Sequence, residues 1–184
     1  MKKIIFTCLV FLAVNCKEKS DPVTSGINEA GVDLLANPTF EVNGQPSLAD
    51  WIVPDTSAVH FSNDIPSGGQ GNSIILHTYA GNFPGTSIYK YITGAKGTHR
   101  YQMSCWAKRS GTGGYFSVYI KQGNTISLCP QLHIAIAETS WTSFSLEDTL
   151  TTSTHDTLLA FVSGGFVFLY PGTTYFNSCM LKRY

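Results

Sequence analysis

Few residues in this chain have the types and spacing that catalysis needs. The sequence contains neither G-x-S-x-G, the motif of a serine nucleophile on a tight turn, nor H-E-x-x-H, the motif of zinc peptidases. Adjacent carboxylates occur at Glu147 and Asp148, but neighbours on a strand point to opposite faces, and we expect this pair in a solvated turn after Leu146. The histidines show no metal-ligand spacing; they are His60, His77, His99, His133 and His155. The sequence therefore predicts a protein that is not an enzyme.

Aromatic and polar side chains alternate in the stretch from Tyr101 to Lys121, YQMSCWAKRSGTGGYFSVYIK. Both ends have the period of two that is typical of strands with one face in a core, and residues 110–114 have the composition of a turn. The stretch therefore predicts a β-hairpin. An exposed Phe-Val-Ile row would promote aggregation, so that row must face inward. The predicted inward residues are Tyr101, Met103, Cys105, Ala107, Phe116, Val118 and Ile120.

The outer face of this predicted hairpin carries Trp106, Tyr115 and Tyr119, with Lys121 at its end. Aromatic rings can pack against the apolar faces of sugar rings, while polar neighbours can hydrogen-bond to sugar hydroxyls. The pattern favours a ligand-binding surface for glycans. Packing against a second sheet or a loop is the alternative use of such aromatic residues.

His77 is a further candidate ligand-binding residue, because it falls opposite the core-facing positions of the run Ile74-Ile75-Leu76-His77. It would line a groove together with Tyr79, although an ordinary exposed histidine is an equally good interpretation. The other tryptophans, Trp51 and Trp141, we assign to packing.

Short runs with β propensity recur from Leu34 onward, and Gly, Pro, Asn, Asp or Ser separates most of them. No segment shows a convincing amphipathic helix period. Many short strands with such spacing predict a sandwich or a barrel. The runs are residues 73–79, 87–92, 101–109, 115–121, 125–129, 132–137, 142–146, 158–162, 166–170 and 175–182.

Composition and charge exclude some partners. The chain has 184 residues, a net charge of zero and only 13% charged residues. This balance is typical of a single secreted, β-rich domain. Because there is no basic field, we expect no binding to nucleic acid.

The N-terminus predicts the compartment. Two lysines precede an apolar run, residues 4–14, which is too short to span about 30 Å of hydrocarbon but suits a signal-peptide core. The following LAVNC, ending at Cys16, resembles the lipobox of bacterial lipoproteins, in which the cysteine is lipidated. We expect a signal peptide in residues 1–15, an anchor and flexible linker in residues 16–33, and a position in the outer membrane, at the cell surface. A soluble secreted protein cut near here is the alternative.

Three motifs together carry a resemblance to a known fold. They are, in order, Asn37-Pro38-Thr39-Phe40-Glu41, Gly71-Asn72-Ser73-Ile74-Ile75-Leu76 and Tyr175-Phe176-Asn177-Ser178-Cys179-Met180-Leu181. With the arm from Tyr101 to Lys108, they resemble the galactose-binding-like jelly rolls of carbohydrate-binding modules that accompany glycosidases. The resemblance covers residues 34–184. It implies an all-β jelly-roll β-sandwich with antiparallel sheets.

The same resemblance raises the question of a metal. In that family a structural calcium ion often lies near the end motif and is held partly by the acidic residue of the opening motif. Glu41 and Asn177 occupy the matching positions. Asn177 stands where the family usually has Asp, so one charge is lost and calcium affinity should fall. On this interpretation no cofactor is required, and structural calcium is the one metal to test.

Beyond the N-terminal segment the cysteines are Cys105, Cys129 and Cys179. Their odd number excludes a complete disulfide framework and leaves one bridge open. The strand period predicts that Cys105 and Cys179 point inward as small hydrophobic residues.

We therefore expect a surface-anchored lipoprotein whose domain binds poly- or oligosaccharides without catalysis and touches the membrane through its lipid. The alternative is a structural or adhesive surface protein that uses the same fold to bind a protein partner. A glycan-active enzyme comes third.

Overall fold

The computed structural model describes residues 31–78, 86–93, 96–165 and 171–184. The first strands are short: β1 (Val32–Asp33), β2 (Glu41–Val42), β3 (Gln45–Pro46), β4 (Val59–Ser62), β5 (Ser73–Thr78) and β6 (Ser87–Thr93). The later ones are mostly longer: β7 (Gly97–Gly111), β8 (Tyr115–Gln122), β9 (Thr125–Ala135), β10 (Thr142–Thr152), β11 (Thr157–Ser163) and β12 (Gly172–Arg183). A short 3-10 turn, Thr56–Ala58, precedes β4. In the described ranges, no helix has the length and apolarity to cross a membrane.

The long strands form two antiparallel sheets. The six-stranded sheet has the order β10-β7-β12-β5-β4, with β1 paired to β12. The four-stranded sheet has the order β6-β11-β8-β9, and β2 and β3 form a small separate pair. This two-sheet, all-β arrangement confirms the predicted fold class.

The core lies between the two sheets and follows the strand period. From β7 it takes Met103, Cys105 and Ala107, and from β8 it takes Phe116 and Val118. The inward face predicted for residues 101–121 is therefore confirmed. Other strands add Ile74, Leu76, Leu132, Leu158, Phe176 and Leu181, all of them buried. Each such side chain stabilises the fold by about 1.5–3 kcal/mol relative to its exposed state.

The hairpin predicted for the same stretch is wrong. β7 pairs with β10 and β12, whereas β8 pairs with β9 and β11, so the chain crosses from one sheet to the other between Gly111 and Tyr115. The crossing brings backbones very close together. A Cβ on Gly113 would lie 1.8 Å from the carbonyl oxygen of Ile136, and a Cβ on Gly114 would lie 1.8 Å from that of Ser163. Glycine is needed there for close approach, not for a hairpin turn.

Smaller predictions also change. Glu147 and Asp148 lie within β10 rather than in a turn, and Glu147 forms an ion pair with Arg100 at 3.4 Å. The two predicted runs in residues 125–137 belong largely to one strand, β9, whose pairing with β8 is irregular near Ser117. The first described strand, β1, pairs with β12 just before the predicted boundary at Leu34. Cys16, Tyr79 and the predicted strand 166–170 lie outside the described residues.

The cysteines of the described part, Cys105, Cys129 and Cys179, are all buried, and Cys105 and Cys179 are free thiols. The inward orientation predicted for Cys105 and Cys179 is confirmed, because both belong to the core between the sheets. Burial, together with the neighbouring Cys105 thiol, holds the pKa of the Cys179 thiol well above its usual range. Cys179 is therefore an unreactive thiol.

Candidate functional site

The outer face of the four-stranded sheet is rich in aromatic residues. Alternate residues of its strands, such as Ile88, Ala160 and Val118, lie in the core, so the residues between them point outward. Strand register then arranges the outward residues in rows across the sheet. One row runs Tyr89, Phe161, Ser117 and His133 from β6 to β9.

Two further rows carry the other rings. The row on one side of the first runs Tyr91, Leu159, Tyr119 and Leu128, and the row on the other side runs Ser87, Ser163, Tyr115 and Ala135. Beyond Tyr91 a fourth row contains Lys121 and Ile126. We call this surface the aromatic face, defined by its five rings: Tyr89, Tyr91, Tyr115, Tyr119 and Phe161.

The rings of the aromatic face touch one another around Phe161. The Tyr89 and Tyr115 rings lie within 13° and 17° of the plane of Phe161, with centroids at 6.2 and 5.9 Å. Tyr119 meets Phe161 edge-on at 5.9 Å, and Tyr91 meets Tyr89 edge-on at 5.5 Å. The ring planes of Tyr89, Phe161 and Tyr115 are therefore nearly parallel. The Tyr91 and Tyr119 rings lie edge-on beside them, and the five rings together form an uneven aromatic platform.

The centre of the aromatic face is buried and its margin is exposed. Ser117 and Ser163 are fully buried beneath the rings, whereas Tyr91 is 44% and Leu128 is 41% exposed. Because Ser117 and Ser163 are small, the large rings can pack over them in the middle of the sheet. The margin leaves apolar surface open to a ligand.

The polar groups of this face are uncharged except for Lys121. The Ser117 hydroxyl and His133 Nδ1 are 2.6 Å apart, and burial lowers the pKa of His133, so the imidazole is neutral at pH 7. Burial raises the pKa of Tyr115 and of Tyr119, which stay phenols. Lys121 Nζ lies 5.5 Å from the centre of the Tyr91 ring. Among the described residues, the four rows contain no carboxylate.

The structure brings together three of the predicted ligand-binding residues and separates two others, Trp106 and His77, from them. Tyr115, Tyr119 and Lys121 all lie on the outer side of β8. Trp106 does not share their face, because β7 belongs to the six-stranded sheet and Trp106 points to the outside of that sheet. The prediction that Trp106 joins the tyrosines is wrong for the same reason as the hairpin.

His77 also lies on the six-stranded sheet, on the outer side of β5. Its Nδ1 is 3.1 Å from the Thr173 hydroxyl, and its ring meets His60 at 5.2 Å. Burial, and to a smaller extent His60, lowers the pKa of His77. His77 is thus part of a local surface contact between strands and does not face the tyrosines.

Three rings of the aromatic face, Tyr89, Tyr91 and Phe161, were not predicted. The signal was present, because the tyrosines alternate with Ile88 and Ile92 in a predicted strand and Phe161 alternates with Ala160 and Val162. What the sequence did not show was that β6 and β11 lie beside β8.

The predicted packing tryptophans both contact other residues. Trp51 is buried against Phe40, with ring centroids 5.7 Å apart. Trp141 donates its indole N–H to Asp64 at 2.9 Å, and Asp64 also pairs with Lys108 at 2.5 Å. This cluster fixes the surface at one end of β7.

At the predicted calcium position, the side-chain amide of Asn177 is hydrogen-bonded to backbone carbonyls. Asn177 is fully buried, and its amide nitrogen donates to the carbonyl oxygens of Gln70 and Asn72 at 2.8 and 3.0 Å. The Ser178 hydroxyl donates to its Oδ1 at 2.8 Å, and Glu41 instead accepts a 3.4 Å hydrogen bond from the Asn72 side chain. Two carbonyls that could ligate a cation thus face N–H groups, so the residues present do not fit calcium at Asn177. In the described part of the chain no cluster of three His, Cys, Asp or Glu side chains could hold a metal.

No protein-family model matches the chain, and no curated protein matches it. Solved structures do resemble it. The enzymatically active domain of bacteriophage CBA120 tailspike protein 4 is 14% identical, with a TM-score of 0.56 over 83% of this chain. This chain covers only 21% of that one.

Smaller proteins match along their whole length. TmCBM61, solved with β-1,4-galactotriose, is 16% identical with a TM-score of 0.50, over 83% of this chain and 99% of that one. The CBM22-1 xylan-binding domain of Paenibacillus barcinonensis Xyn10C is 13% identical with a TM-score of 0.51, over 84% of this chain and 96% of that one. At these identities the likeness concerns the fold. The described chain is an antiparallel jelly-roll β-sandwich of the kind found in carbohydrate-binding modules.

Proposed function

We propose that the protein is a non-catalytic, carbohydrate-binding module and that its glycan lies on the aromatic face. The observation that carries this proposal is the platform of Tyr89, Phe161 and Tyr115, flanked by Tyr91 and Tyr119. The similar structures bound to galactotriose and named for xylan binding support the same class of ligand.

The dimensions of the face favour an oligosaccharide over a single sugar. Four strands about 4.8 Å apart give a surface about 14 Å wide. Apolar ring faces of a glycan would pack on the tyrosine and phenylalanine rings, and its hydroxyls would exchange hydrogen bonds with the phenols and with Lys121. Among the described residues, the four rows of this face carry no carboxylate, which supports binding without cleavage.

The predicted lipid on Cys16 would place this face at the cell surface, where it would bring a polysaccharide close to the outer membrane. The LAVNC motif and the polar segment that follows it support this part of the proposal. Retention of a glycan by an anchored module needs no cofactor.

The experiment is a binding assay with xylan, β-1,4-galactan and mixed-linkage β-glucan, by affinity electrophoresis of the full chain. Tyr119→Ala and Tyr91→Ala should each weaken binding about thirtyfold or more, since an aromatic anchor at a hot spot contributes about 2 kcal/mol. Phe61→Ala is the matched control, because Phe61 is an exposed ring on the six-stranded sheet. Unchanged retention in both tyrosine variants would contradict the proposal.

A protein partner is the second candidate, favoured by one observation. Ile126 and Leu128, which are 52% and 41% exposed, extend the apolar surface beyond the rings at the β9 edge. Leu128→Lys separates the two functions. It should abolish capture of a protein from cell-surface extracts, whereas glycan retention depends mainly on the tyrosines.

A further inference from the structure

The six-stranded sheet contains a cavity of about 350 Å3 that has no part in the aromatic face. Trp106 and Ser104 of β7, Ser143 of β10 and Met180 of β12 form its floor. Its walls come from two loops, through Pro38, Thr39, Gly68 and Gln70, and from Ser178. Its volume lies in the range of small-molecule sites, about 300–1,000 Å3.

The chemistry of the cavity is neutral. Its described lining contains hydroxyls and one primary amide beside the apolar surfaces of Trp106, Pro38 and Met180, and this described lining contains no Asp, Glu, Lys, Arg or His. A charged ligand would lose its hydration there without gaining a counter-charge. A neutral, polyhydroxylated molecule would find both an aromatic surface and hydrogen-bonding partners.

Trp106 is the anchor of the cavity. Its neighbours in β7, Cys105 and Ala107, are in the core, so the indole lies on the outside of the sheet and is half-buried. Trp51 and Trp141 each donate their indole N–H to an oxygen, but Trp106 makes no such bond within the described residues. A half-buried indole with an available donor is typical of a ligand contact.

The wall of the cavity at Ser178 is held in an unusual backbone conformation. The pairing of β7 with β12 shifts register between Asn177 and Met180, and Ser178 within this bulge has a φ of 52°. Residues other than glycine rarely adopt the left-handed region, so the backbone at Ser178 is strained. The buried Asn177 bonds hold the strain, and bulges of this kind often re-aim side chains at sites.

From these observations we infer a second binding site, in which a neutral sugar unit at the end of a glycan stacks on Trp106 inside this cavity. This second site goes beyond the proposed function because it lies on the opposite sheet. It is a pocket for the terminal sugar of a glycan, whereas the aromatic face would bind several sugars along a glycan. Since the two sheets face away from each other, one domain would hold two glycans at once and would gain retention through bivalency.

The test observes the tryptophan indole signals of the full chain labelled with 15N-tryptophan. The chain has three tryptophans and none lies on the aromatic face, so these signals do not report contact with that face. The probes are the methyl glycosides of β-galactose, β-glucose, β-xylose and α-arabinose, titrated separately. We expect at least one to shift the Trp106 signal saturably, while the Trp51 signal stays fixed. Trp106→Phe assigns the signal.

Two further variants form a matched pair. Ser143→Tyr should fill the cavity and weaken binding of the active glycoside at least tenfold, measured on the Trp106 signal. Ser145→Tyr places the same side chain two residues along β10, outside the lining, and should bind like the parent. Loss of the shift in Tyr119→Ala, or its persistence in Ser143→Tyr, would overturn the second site.

A Trp106 signal that none of the four glycosides shifts would also overturn it. That result leaves the proposed function unaffected, because retention of polysaccharide through Tyr91 and Tyr119 is measured independently.

Discussion

A single amide group, that of Asn177, connects residues 70–72 to the last strand. Its two N–H bonds go to carbonyls of Gln70 and Asn72, in a space where Gly69 has no room for a Cβ, since that atom would lie 2.7 Å from Asn177 Oδ1. An amide can satisfy two carbonyls as a donor, which a carboxylate cannot do. The side chain thus performs the structural work that a cation would perform beside an aspartate.

Asn177→Asp should make the domain dependent on a cation. Without calcium, two buried carbonyls would face a carboxylate, at a cost of about 1–3 kcal/mol, and each kcal/mol lowers the melting temperature by about 2–4 °C. Calcium should restore part of this loss in the variant and leave the parent unchanged. The measurement is thermal unfolding in excess chelator and in excess calcium.

Asn63→Asp is the control, because it adds the same charge at an exposed position. A parent chain whose melting temperature rises with calcium would show that an ion binds in spite of the Asn177 geometry.

His133 and His77 make stability depend on pH. Burial lowers the folded-state pKa of both from 6.5, so below about pH 6.5 the unfolded chain binds more protons than the folded one. Their contribution to stability is present above pH 6.5 and is lost as the pH falls through the folded pKa values. Asp33, whose pKa burial raises from 3.8, acts in the opposite direction at lower pH.

The melting temperature should therefore fall between pH 7.5 and 5.5, and His133→Gln should flatten this dependence. Glutamine keeps a polar partner for Ser117 and carries no titrating proton. His155→Gln, at an exposed position, should keep the slope of the parent. An equal slope in all three chains would contradict the assignment.

At the scale of elements, the crossing between β7 and β8 decides which strands are neighbours. Gly114 donates its N–H to the Thr174 hydroxyl at 2.8 Å, and its carbonyl accepts the N–H of Ile136 at 2.9 Å. The segment is thereby held between β12 and the chain that follows β9. Any side chain there would push these elements apart.

Gly114→Ala should destabilise the domain by about 3 kcal/mol, the upper end of the cost of overpacking. Gly123→Ala is the matched control, because nothing lies within 4 Å of a Cβ at Gly123, where φ is 57°. Only the backbone penalty of about 1–2 kcal/mol applies to that variant. Urea unfolding measures both, and a smaller loss at Gly114 than at Gly123 would contradict the role of close approach.

The sequence was sufficient to predict the faces of strands but not their neighbours. The period of two placed Met103, Phe116 and Val118 inward correctly, because burial of one strand face is a local property of the pattern. Gly-rich residues 110–114 looked like a turn, yet their composition is equally suited to a crossing between sheets. Which strands pair is decided by packing over the whole sandwich.

Because strand neighbours could not be predicted from the sequence, the candidate site was predicted only in part. Tyr115 and Tyr119 could be assigned to an outer face, but the rest of the platform comes from Tyr89 and Phe161 on strands remote in sequence. Trp106 was assigned to the wrong sheet because the sequence neighbour of β7 is not its spatial neighbour. Composition of a face is therefore predictable for one strand, and composition of a site is not.

At the scale of the molecule, we predict that the N-terminal segment determines where the sandwich acts. We predict that Cys16→Ser releases the protein from the membrane fraction, because a thiol is the acceptor of the lipid and a hydroxyl is not an equivalent. Cys129→Ser is the control, since Cys129 is a buried residue of the domain. Fractionation followed by immunoblotting checks both, and a Cys16→Ser chain that stays membrane-bound at the same size would contradict lipidation.

The position of β12 in the six-stranded sheet affects the rate of folding. β12 lies between β7 and β5 and also pairs with β1, so the last described strand to be synthesised joins three that precede it. Val32 pairs with Arg183, so the chain between these two residues must close a very long loop. Long loops close slowly, and folding should therefore take milliseconds to seconds. Until β12 arrives, the earlier strands cannot complete their sheet. Such a delay suits a chain that crosses a membrane unfolded, as its predicted signal peptide requires.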